Sequence, residues 1–375
     1  MKTMLLAGIL TCSALIPAGT VTAQPAPAEP TIKDRLDQAV STVTGSPMAE
    51  LDVDMKHVLD AHAKLAPQPI EKLSPEEARK QPSPADGVRE LLKQRSKVLA
   101  PEPGVTTRDM TYPAGAGTQP VRLYTPDGAS GPLPVVVYYH GGGFVIADLD
   151  TYDATPRAIA KGLQAIVASV EYRRAPEARF PAQHEDAIAA YKWVMANASS
   201  FGGDPAKVAL MGESAGGNLA TNVAIAARDQ NLKKPAYVVA VYPVAGTDME
   251  TRSYKDNASA KPLNKAMMGW FVGHTVRGDA DKSDPRLDLV GKANLRELPP
   301  FTIVTAEIDP LRDDGKMLAD KLKAAGVAVQ YRDYQGVTHE FFGMGNVVAK
   351  AKEAQEAAIA DLRAAFTGAP QSSTN

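Results

Sequence analysis

One serine stands between two glycines, each two residues away, in Gly212-Glu213-Ser214-Ala215-Gly216. The apolar run 208–211 before this motif is typical of a buried strand, and residues 215–227 after it are mostly good helix formers. A serine on a tight turn from strand to helix is exposed as a nucleophile, and the flanking glycines relieve the crowding of that turn. A purely structural glycine-rich turn would carry the same pattern, so the prediction of a nucleophile depends on partner residues elsewhere in the chain.

A loop of three successive glycines, residues 141–143, follows a predicted buried strand at 135–139. Backbone without side chains brings its N–H groups close to a ligand, and such a loop completes the oxyanion hole of a serine enzyme. We predict that the oxyanion donors are the backbone N–H groups of Gly142, Gly143 and Ala215. His140 and Gly141 are expected to support the loop.

A nucleophilic serine needs a base, and the sequence offers six histidines. His339 alone lies in a loop directly after a predicted strand, where its side chain can reach the carboxyl edge of a parallel sheet. The other five occupy less suitable places: His57 and His62 in early helices, His140 in the glycine loop, His184 in a polar stretch expected at the surface, and His274 at the end of a helix.

The carboxylate that orients this base is expected in the loop after the preceding strand. Asp309 ends that strand and is followed by a proline that fixes the turn. Glu307 is the rival candidate, whereas Asp313 and Asp314 are better interpreted as acids at the start of a helix. The order of serine, acid and histidine along the chain is then the order found in α/β-hydrolases.

No residue pattern points to a metal or an organic cofactor. His339-Glu340 begins like a zinc-binding motif, but position 343 is glycine where the second histidine would stand. The chain has 375 residues, 44% of them apolar, and a net charge of −2, which indicates a globular protein and gives no reason to expect a nucleic-acid partner. We therefore expect a small-molecule substrate and no cofactor.

Residues 1–23 have the features of a secretory signal peptide: Lys2 near the start, an apolar stretch too short to span a bilayer, and small residues at 21–23. The mature chain is expected to begin near Gln24, and it then has no thiol because Cys12 is the only cysteine. No later apolar run reaches transmembrane length. We expect an exported protein, periplasmic or secreted, without stable membrane insertion.

The elements that must position these residues form an alternating pattern. Residues 31–100 have helical periodicity and no strand signal. Eight strand-like runs follow, at 106–112, 121–125, 135–139, 166–172, 208–211, 237–242, 301–306 and 329–334. Helical patterns separate most of them, which predicts a mostly parallel eight-stranded sheet with helices on both faces. Between 242 and 301 a polar loop and one helix near residues 263–274 indicate an insertion at the carboxyl edge of the sheet.

Together these motifs resemble the bacterial hormone-sensitive lipase family of esterases, also called family IV. The resemblance covers residues 134–343 and rests on the segments 140–143, 171–177, 212–218, 284–286, 309–311 and His339. It implies an α/β-hydrolase fold with a helical cap, built from the N-terminal helices and the insertion. Departures from the family pattern are Ala147 and Glu340, where glycine is commoner, and Glu171 and Glu213, where aspartate is commoner. They bear on substrate preference more than on the reaction.

This interpretation divides the chain into a signal peptide (1–23), a linker with the N-terminal cap helices (24–105), a catalytic core in two parts (106–245 and 299–366), a cap insertion (246–298) and a disordered tail (367–375).

The predicted function is that of a serine carboxylesterase acting on short-to-medium acyl esters through the triad Ser214, His339 and Asp309. Side chains from the insertion and the glycine loop are expected to bind substrate: Met267, Met268, Phe271 and Phe144. Amide hydrolysis or acyl transfer on the same triad is one alternative, and a non-catalytic binding protein on this fold is another.

Overall fold

The computed structural model describes residues 50–97 and 103–368, which contain one eight-stranded sheet covered by helices. The strands are β1 (Val105–Ala114), β2 (Gly117–Pro126), β3 (Leu133–Tyr139), β4 (Ile166–Val170), β5 (Gly203–Glu213), β6 (Val238–Val241), β7 (Phe301–Ile308) and β8 (Val329–Thr338). Their order across the sheet is β1-β2-β4-β3-β5-β6-β7-β8. β2 pairs antiparallel with both neighbours, and every other pairing is parallel.

All eight predicted strands are present, and the α/β-hydrolase fold predicted from their order is confirmed. Strands β4 and β6 are buried along their whole length, because helices cover both faces of the parallel region. β5 begins at Gly203 rather than at residue 208. The sequence gives no strand signal at the start of β5, because Asp204 and Pro205 are residue types that are uncommon in strands and typical of turns.

The described residues contain ten α-helices. These are α1 (Val53–Lys64), α2 (Pro75–Ala78), α3 (Pro84–Gln94), α4 (Ala154–Leu163), α5 (Ala182–Asn197), α6 (Ala215–Asp229), α7 (Arg252–Asp256), α8 (Lys265–Thr275), α9 (Arg312–Ala324) and α10 (Ala349–Thr367). Helices α5, α6 and α9 pack on one face of the sheet and α1, α4 and α10 on the other, each group with its own apolar core.

The start of helix α3 is fixed by a capping box. Ser83 and Asp86 form a reciprocal capping box, and Pro84 occupies the first turn of the helix. This cap satisfies the first backbone N–H groups, so the helix begins at Pro84.

A third apolar cluster joins the N-terminal segment and the insertion to the carboxyl edge of the sheet. Its buried members come from both added segments and from loops after the strands: Ile70, Ala78, Val145, Ala175, Tyr254, Leu263, Met268, Phe271 and Leu311. The indole N–H of Trp270 in α8 also donates to the carbonyl of Leu73, 3.1 Å away. The two segments therefore pack against each other as well as on the core.

No helix within 50–97 and 103–368 has the length and apolar character that crossing a membrane requires. The predicted signal peptide and the first part of the 24–105 segment, up to residue 49, lie outside the described residues, as do residues 369–375. Thr367, which we assigned to the tail, is the last residue of α10.

Candidate active site

Ser214 lies on the turn between β5 and α6 with a φ of 56°, in the left-handed region that residues other than glycine avoid. A Cβ on Gly212 would lie 2.1 Å from the carbonyl oxygen of Gly216. A Cβ on Gly216 would lie 1.9 Å from the carbonyl oxygen of Tyr139 in β3. Close backbone packing therefore requires both glycines of the motif, and it holds the serine at the carboxyl end of the central strand.

The structure brings Ser214, His339 and Asp309 together from three separate loops. His339 Nε2 lies 3.0 Å from Ser214 Oγ, and His339 Nδ1 lies 2.7 Å from Asp309 Oδ2. The other oxygen of Asp309 accepts a hydrogen bond of 2.8 Å from the backbone N–H of Leu311. Glu307, the rival acid, instead accepts from the backbone N–H of Gly336 at 2.7 Å.

The environment of His339 favours its protonated form. Burial by itself lowers the pKa of this imidazole, but the charge of Asp309 and the hydrogen bond to it outweigh burial, so the pKa is raised above its ordinary value. A raised pKa makes the imidazole a stronger base toward the Ser214 hydroxyl.

Two of the three predicted oxyanion donors, Gly142 and Gly143, lie in the wall of the cavity that Ser214 also lines, and the third, Ala215, directly follows Ser214. Gly142 and Gly143 have φ values of 95° and 59°, and their N–H groups donate to no backbone carbonyl of the described residues. Ala215 is the first residue of α6, where an N–H group has no carbonyl one turn earlier. The N–H group of Ala215 lies at the amide-rich end of α6, which favours negative charge.

The glycine loop is held by aromatic and hydroxyl side chains. His140 is buried and stacks on Tyr172, with ring centroids 4.4 Å apart. The Tyr172 hydroxyl donates to the carbonyls of His140 and Gly141, at 2.9 Å and 3.1 Å. Thr275, at the end of α8, donates to the carbonyl of Gly143 at 3.3 Å. The insertion thus contacts the loop that carries two of the donors.

Two carboxyl side chains near the histidine are held by tyrosines. Glu213 accepts hydrogen bonds from the hydroxyls of Tyr138, at 2.6 Å, and Tyr242. Glu340 Oε1 accepts from Tyr152 at 2.6 Å and lies 4.0 Å from His339 Nε2. Burial, together with the nearby charge of Glu340, raises the pKa of Glu213 to about 7. Burial also raises the pKa of Glu340, although the imidazole and the Tyr152 hydroxyl oppose the shift.

A cavity of about 610 Å³ opens onto Ser214 and His339. Gly142 and Gly143 lie in its wall, and the insertion contributes the apolar side chains Met267, Met268 and Phe271. The Phe271 ring packs directly on the glycine loop, since a Cβ on Gly143 would lie 2.3 Å from it. The volume of this cavity is typical of a binding site for a small organic molecule.

Two expectations from the sequence need correction. Phe144 does not line this cavity; it is buried in the core between the sheet and α5, near His184. His184 is not at the surface, because its side chain is only 1% exposed. Asp314 lies in the first turn of α9, as expected, and is fully buried, where it accepts hydrogen bonds from the backbone N–H groups of Ala245 and Gly246.

Arg79 is a site residue that sequence reasoning missed. Its guanidinium donates to the carbonyls of Val145 and Ala175, both at 2.8 Å, and pairs with both carboxylate oxygens of Glu177. The hydrogen bond from Arg79 lowers the pKa of Glu177 to about 2. Arg79 lies among other charged residues, a pattern that resembles a solvated helix face. The one sequence signal for the Arg79–Glu177 pair is Glu177, which belongs to the segment 171–177 that carries the family resemblance.

This arrangement can remove a proton from a serine hydroxyl and stabilise an oxyanion beside it. Among residues 50–97 and 103–368, no three His, Cys, Asp or Glu side chains converge as potential metal ligands. The chemistry that the geometry supports is therefore nucleophilic attack by Ser214 on a carbonyl carbon.

Comparison with known sequences gives the same class of chemistry. A family model described as the alpha/beta hydrolase fold matches residues 136–343. Carboxylesterase NlhH of Mycobacterium tuberculosis is 41% identical over 291 residues, which cover 75% of this chain and 91% of that protein. An ethyl acetate hydrolase of Pseudomonas putida is 35% identical over 282 residues, covering 72% and 86%.

Solved structures agree with the sequence relatives. An α/β-hydrolase enzyme from the metagenome of Lake Arreo superposes with a TM-score of 0.75 at 34% identity, covering 85% of this chain and 99% of the other. A thermostable esterase from Pseudomonas putida gives a TM-score of 0.77 at 30% identity, covering 84% and 98%. At these identities and coverages, sequence and fold point to one family.

Proposed function

This chain belongs to the hormone-sensitive-lipase-like esterases of the α/β-hydrolase family, and we propose that it hydrolyses short-chain carboxylic esters through an acyl-enzyme on Ser214. The observation that carries the proposal is the pair of distances at His339, 3.0 Å to the Ser214 hydroxyl and 2.7 Å to the Asp309 carboxylate. An imidazole fixed on both sides is poised to move a proton from the hydroxyl to a leaving group.

The reaction begins when His339 Nε2 takes the Ser214 proton as Oγ attacks the ester carbonyl. The oxygen of the tetrahedral intermediate accepts hydrogen bonds from the N–H groups of Gly142, Gly143 and Ala215. His339 then gives its proton to the departing alcohol, and Asp309 stabilises the imidazolium meanwhile. Water attacks the acyl-enzyme in the same manner and releases the acid.

The walls of the cavity support a preference for short acyl chains. Phe271 packs against Gly143, so it closes the space next to the predicted oxyanion donors. Met267 and Met268 extend this apolar wall. The names of two relatives agree, since one is an ethyl acetate hydrolase and another, from Salmonella paratyphi A, is an acetyl esterase.

Active-site labelling combined with a substrate panel tests this proposal. A fluorophosphonate should modify a single residue, Ser214, identified by peptide mass, and Ser214→Ala should lose several orders of magnitude in turnover. Esters of graded acyl length, matched amides and alcohol acceptors should give ester hydrolysis as the fastest reaction. Faster amide cleavage or acyl transfer would redirect the assignment, and an active Ser214→Ala variant would exclude it.

We also propose that the protein is exported. The charge at Lys2, the short apolar stretch and the small residues at 21–23 support this proposal. Expression with the native N-terminus in a Gram-negative host should give extracytoplasmic protein whose first residue is Gln24. An uncleaved chain retained in the cytoplasm would contradict it.

A further inference from the structure

Glu340 has an unfavourable backbone conformation and lies near the reacting nitrogen, His339 Nε2. It has a φ of 71°, a backbone conformation that glycine adopts more easily than glutamate. Its side chain is 22% exposed and faces the same cavity as Ser214 and His339. The acylation step described above gives this carboxyl group no task, so a function in another step would account for its presence.

Tyr152 fixes the orientation of the Glu340 side chain. The Tyr152 hydroxyl donates to Oε1 at 2.6 Å, and this same oxygen lies 4.0 Å from His339 Nε2. Nε2 is the atom that receives a proton from whatever attacks the acyl-enzyme. An acceptor oxygen therefore stands next to the place where the attacking molecule must lie.

The 4.0 Å separation suits one bridging water molecule. A water that donates hydrogen bonds of about 2.8 Å to two acceptors subtends an angle close to 90° when they are this far apart. Both of its protons are then engaged, and an oxygen lone pair is left for the acyl carbon. An alcohol has only one hydroxyl proton, which His339 takes, so it has no proton for Glu340.

We infer that Glu340, oriented by Tyr152, is a positioning residue for the water that hydrolyses the acyl-enzyme. This inference rests on the proposed esterase function. In the step, the water oxygen bonds to the acyl carbon, its first proton goes to His339 Nε2, and its second stays on oxygen and is held by Glu340. Collapse of the intermediate breaks the bond to Ser214 Oγ, and His339 returns the proton to that oxygen.

The test measures how an acyl-enzyme partitions between water and methanol. Glu340→Gly removes the acceptor at a backbone position that suits glycine, and Glu340→Gln keeps an oxygen there without the charge. With p-nitrophenyl butyrate in aqueous methanol, Glu340→Gly should slow hydrolysis of the acyl-enzyme by about 10- to 100-fold. Methanolysis should change much less, so the ratio of methyl ester to acid rises. Glu340→Gln should stay close to wild type.

Glu213→Gln is the matched control, because Glu213 belongs to the same carboxyl pair but is fully buried and does not line the cavity. Its ratio of methyl ester to acid should equal that of the wild type. An unchanged ratio in Glu340→Gly, or an equal rise in Glu340→Gln and Glu340→Gly, would overturn the inference. Equal effects would assign Glu340 an electrostatic role on His339. Wild-type protein that forms no acyl-enzyme would instead refute the proposed function itself.

Discussion

At the scale of single residues, the hydrogen bond from His339 Nδ1 to Asp309 determines which imidazole nitrogen faces the serine. With Nδ1 protonated, Nε2 is left free to accept the Ser214 proton. Asp309→Asn should preserve the fold but favour the wrong tautomer, and kcat should fall by up to ~10⁴-fold. Steady-state kinetics on a p-nitrophenyl ester measures this loss.

Glu307→Gln is the control for that substitution, because the Glu307 carboxylate accepts a hydrogen bond from the backbone N–H of Gly336, whereas Asp309 is the partner of His339 Nδ1. It should reduce kcat far less than Asp309→Asn does, and the reverse order would make Glu307 the triad acid.

The pH profile of the wild type tests the same hydrogen bond in a second way. Because Asp309 raises the pKa of His339, the acidic limb of kcat/KM in the wild type should lie above pH 6.5.

At the scale of elements, helix α8 forms the wall that should set acyl length. Met267 and Phe271 lie one turn apart on its cavity side, and Phe271 touches the glycine loop. An added methylene contributes about 0.8 kcal/mol while space remains, whereas overpacking costs about 1–3 kcal/mol. We predict that kcat/KM on p-nitrophenyl esters peaks between acetate and hexanoate and falls steeply by dodecanoate.

Substitutions in α8 connect this preference to the helix. Met267→Ala and Phe271→Ala should each shift the optimum toward longer chains. Trp270→Phe serves as the control, because the Trp270 indole N–H donates a hydrogen bond to the Leu73 carbonyl and Trp270 does not line the cavity. It should leave the optimum in place, and a wild-type optimum at palmitate would show that α8 does not close the site.

The elements that could be predicted from sequence are those encoded by local signals. Alternating strands and helices, the glycines around Ser214 and the loop position of His339 all depend on neighbours in the chain. The orientation of Phe144 could not be predicted in this way, since it depends on packing against α5. The same holds for Arg79 and for the Tyr152–Glu340 hydrogen bond, which joins residues 188 positions apart.

At the scale of the whole molecule, the polar stretch around His184 shows how burial changes a residue's meaning. His184 Nε2 lies 2.9 Å from Asn218 Oδ1, and the amide of Asn218 donates to the carbonyls of Val244 and Arg286. This network links α5, α6 and the loops on either side of α8. The histidine that we had placed at the surface is thus part of the connection between the core and the insertion.

This buried histidine should make stability depend on pH. Burial lowers the pKa of His184 to about 4, whereas the unfolded chain binds the proton near pH 6.5. Between these values the unfolded state holds more protons, so the free energy of unfolding falls as pH decreases through this window. The contribution of His184 to stability is present above pH 6.5 and should decline by about 3 kcal/mol on acidification to pH 4.

Another buried group changes stability with pH in the opposite direction, so its contribution must be separated from that of His184. Burial raises the pKa of Asp314 to about 7, so its contribution is greatest at acidic pH and is lost as pH rises through 7. Urea unfolding of the wild type and of His184→Gln, compared at each pH from 4 to 8, cancels these shared contributions. The unfolding free energy of the wild type minus that of the variant should decrease as the pH falls toward 4. A difference independent of pH would show that folding leaves the pKa of His184 unchanged, as for an exposed imidazole.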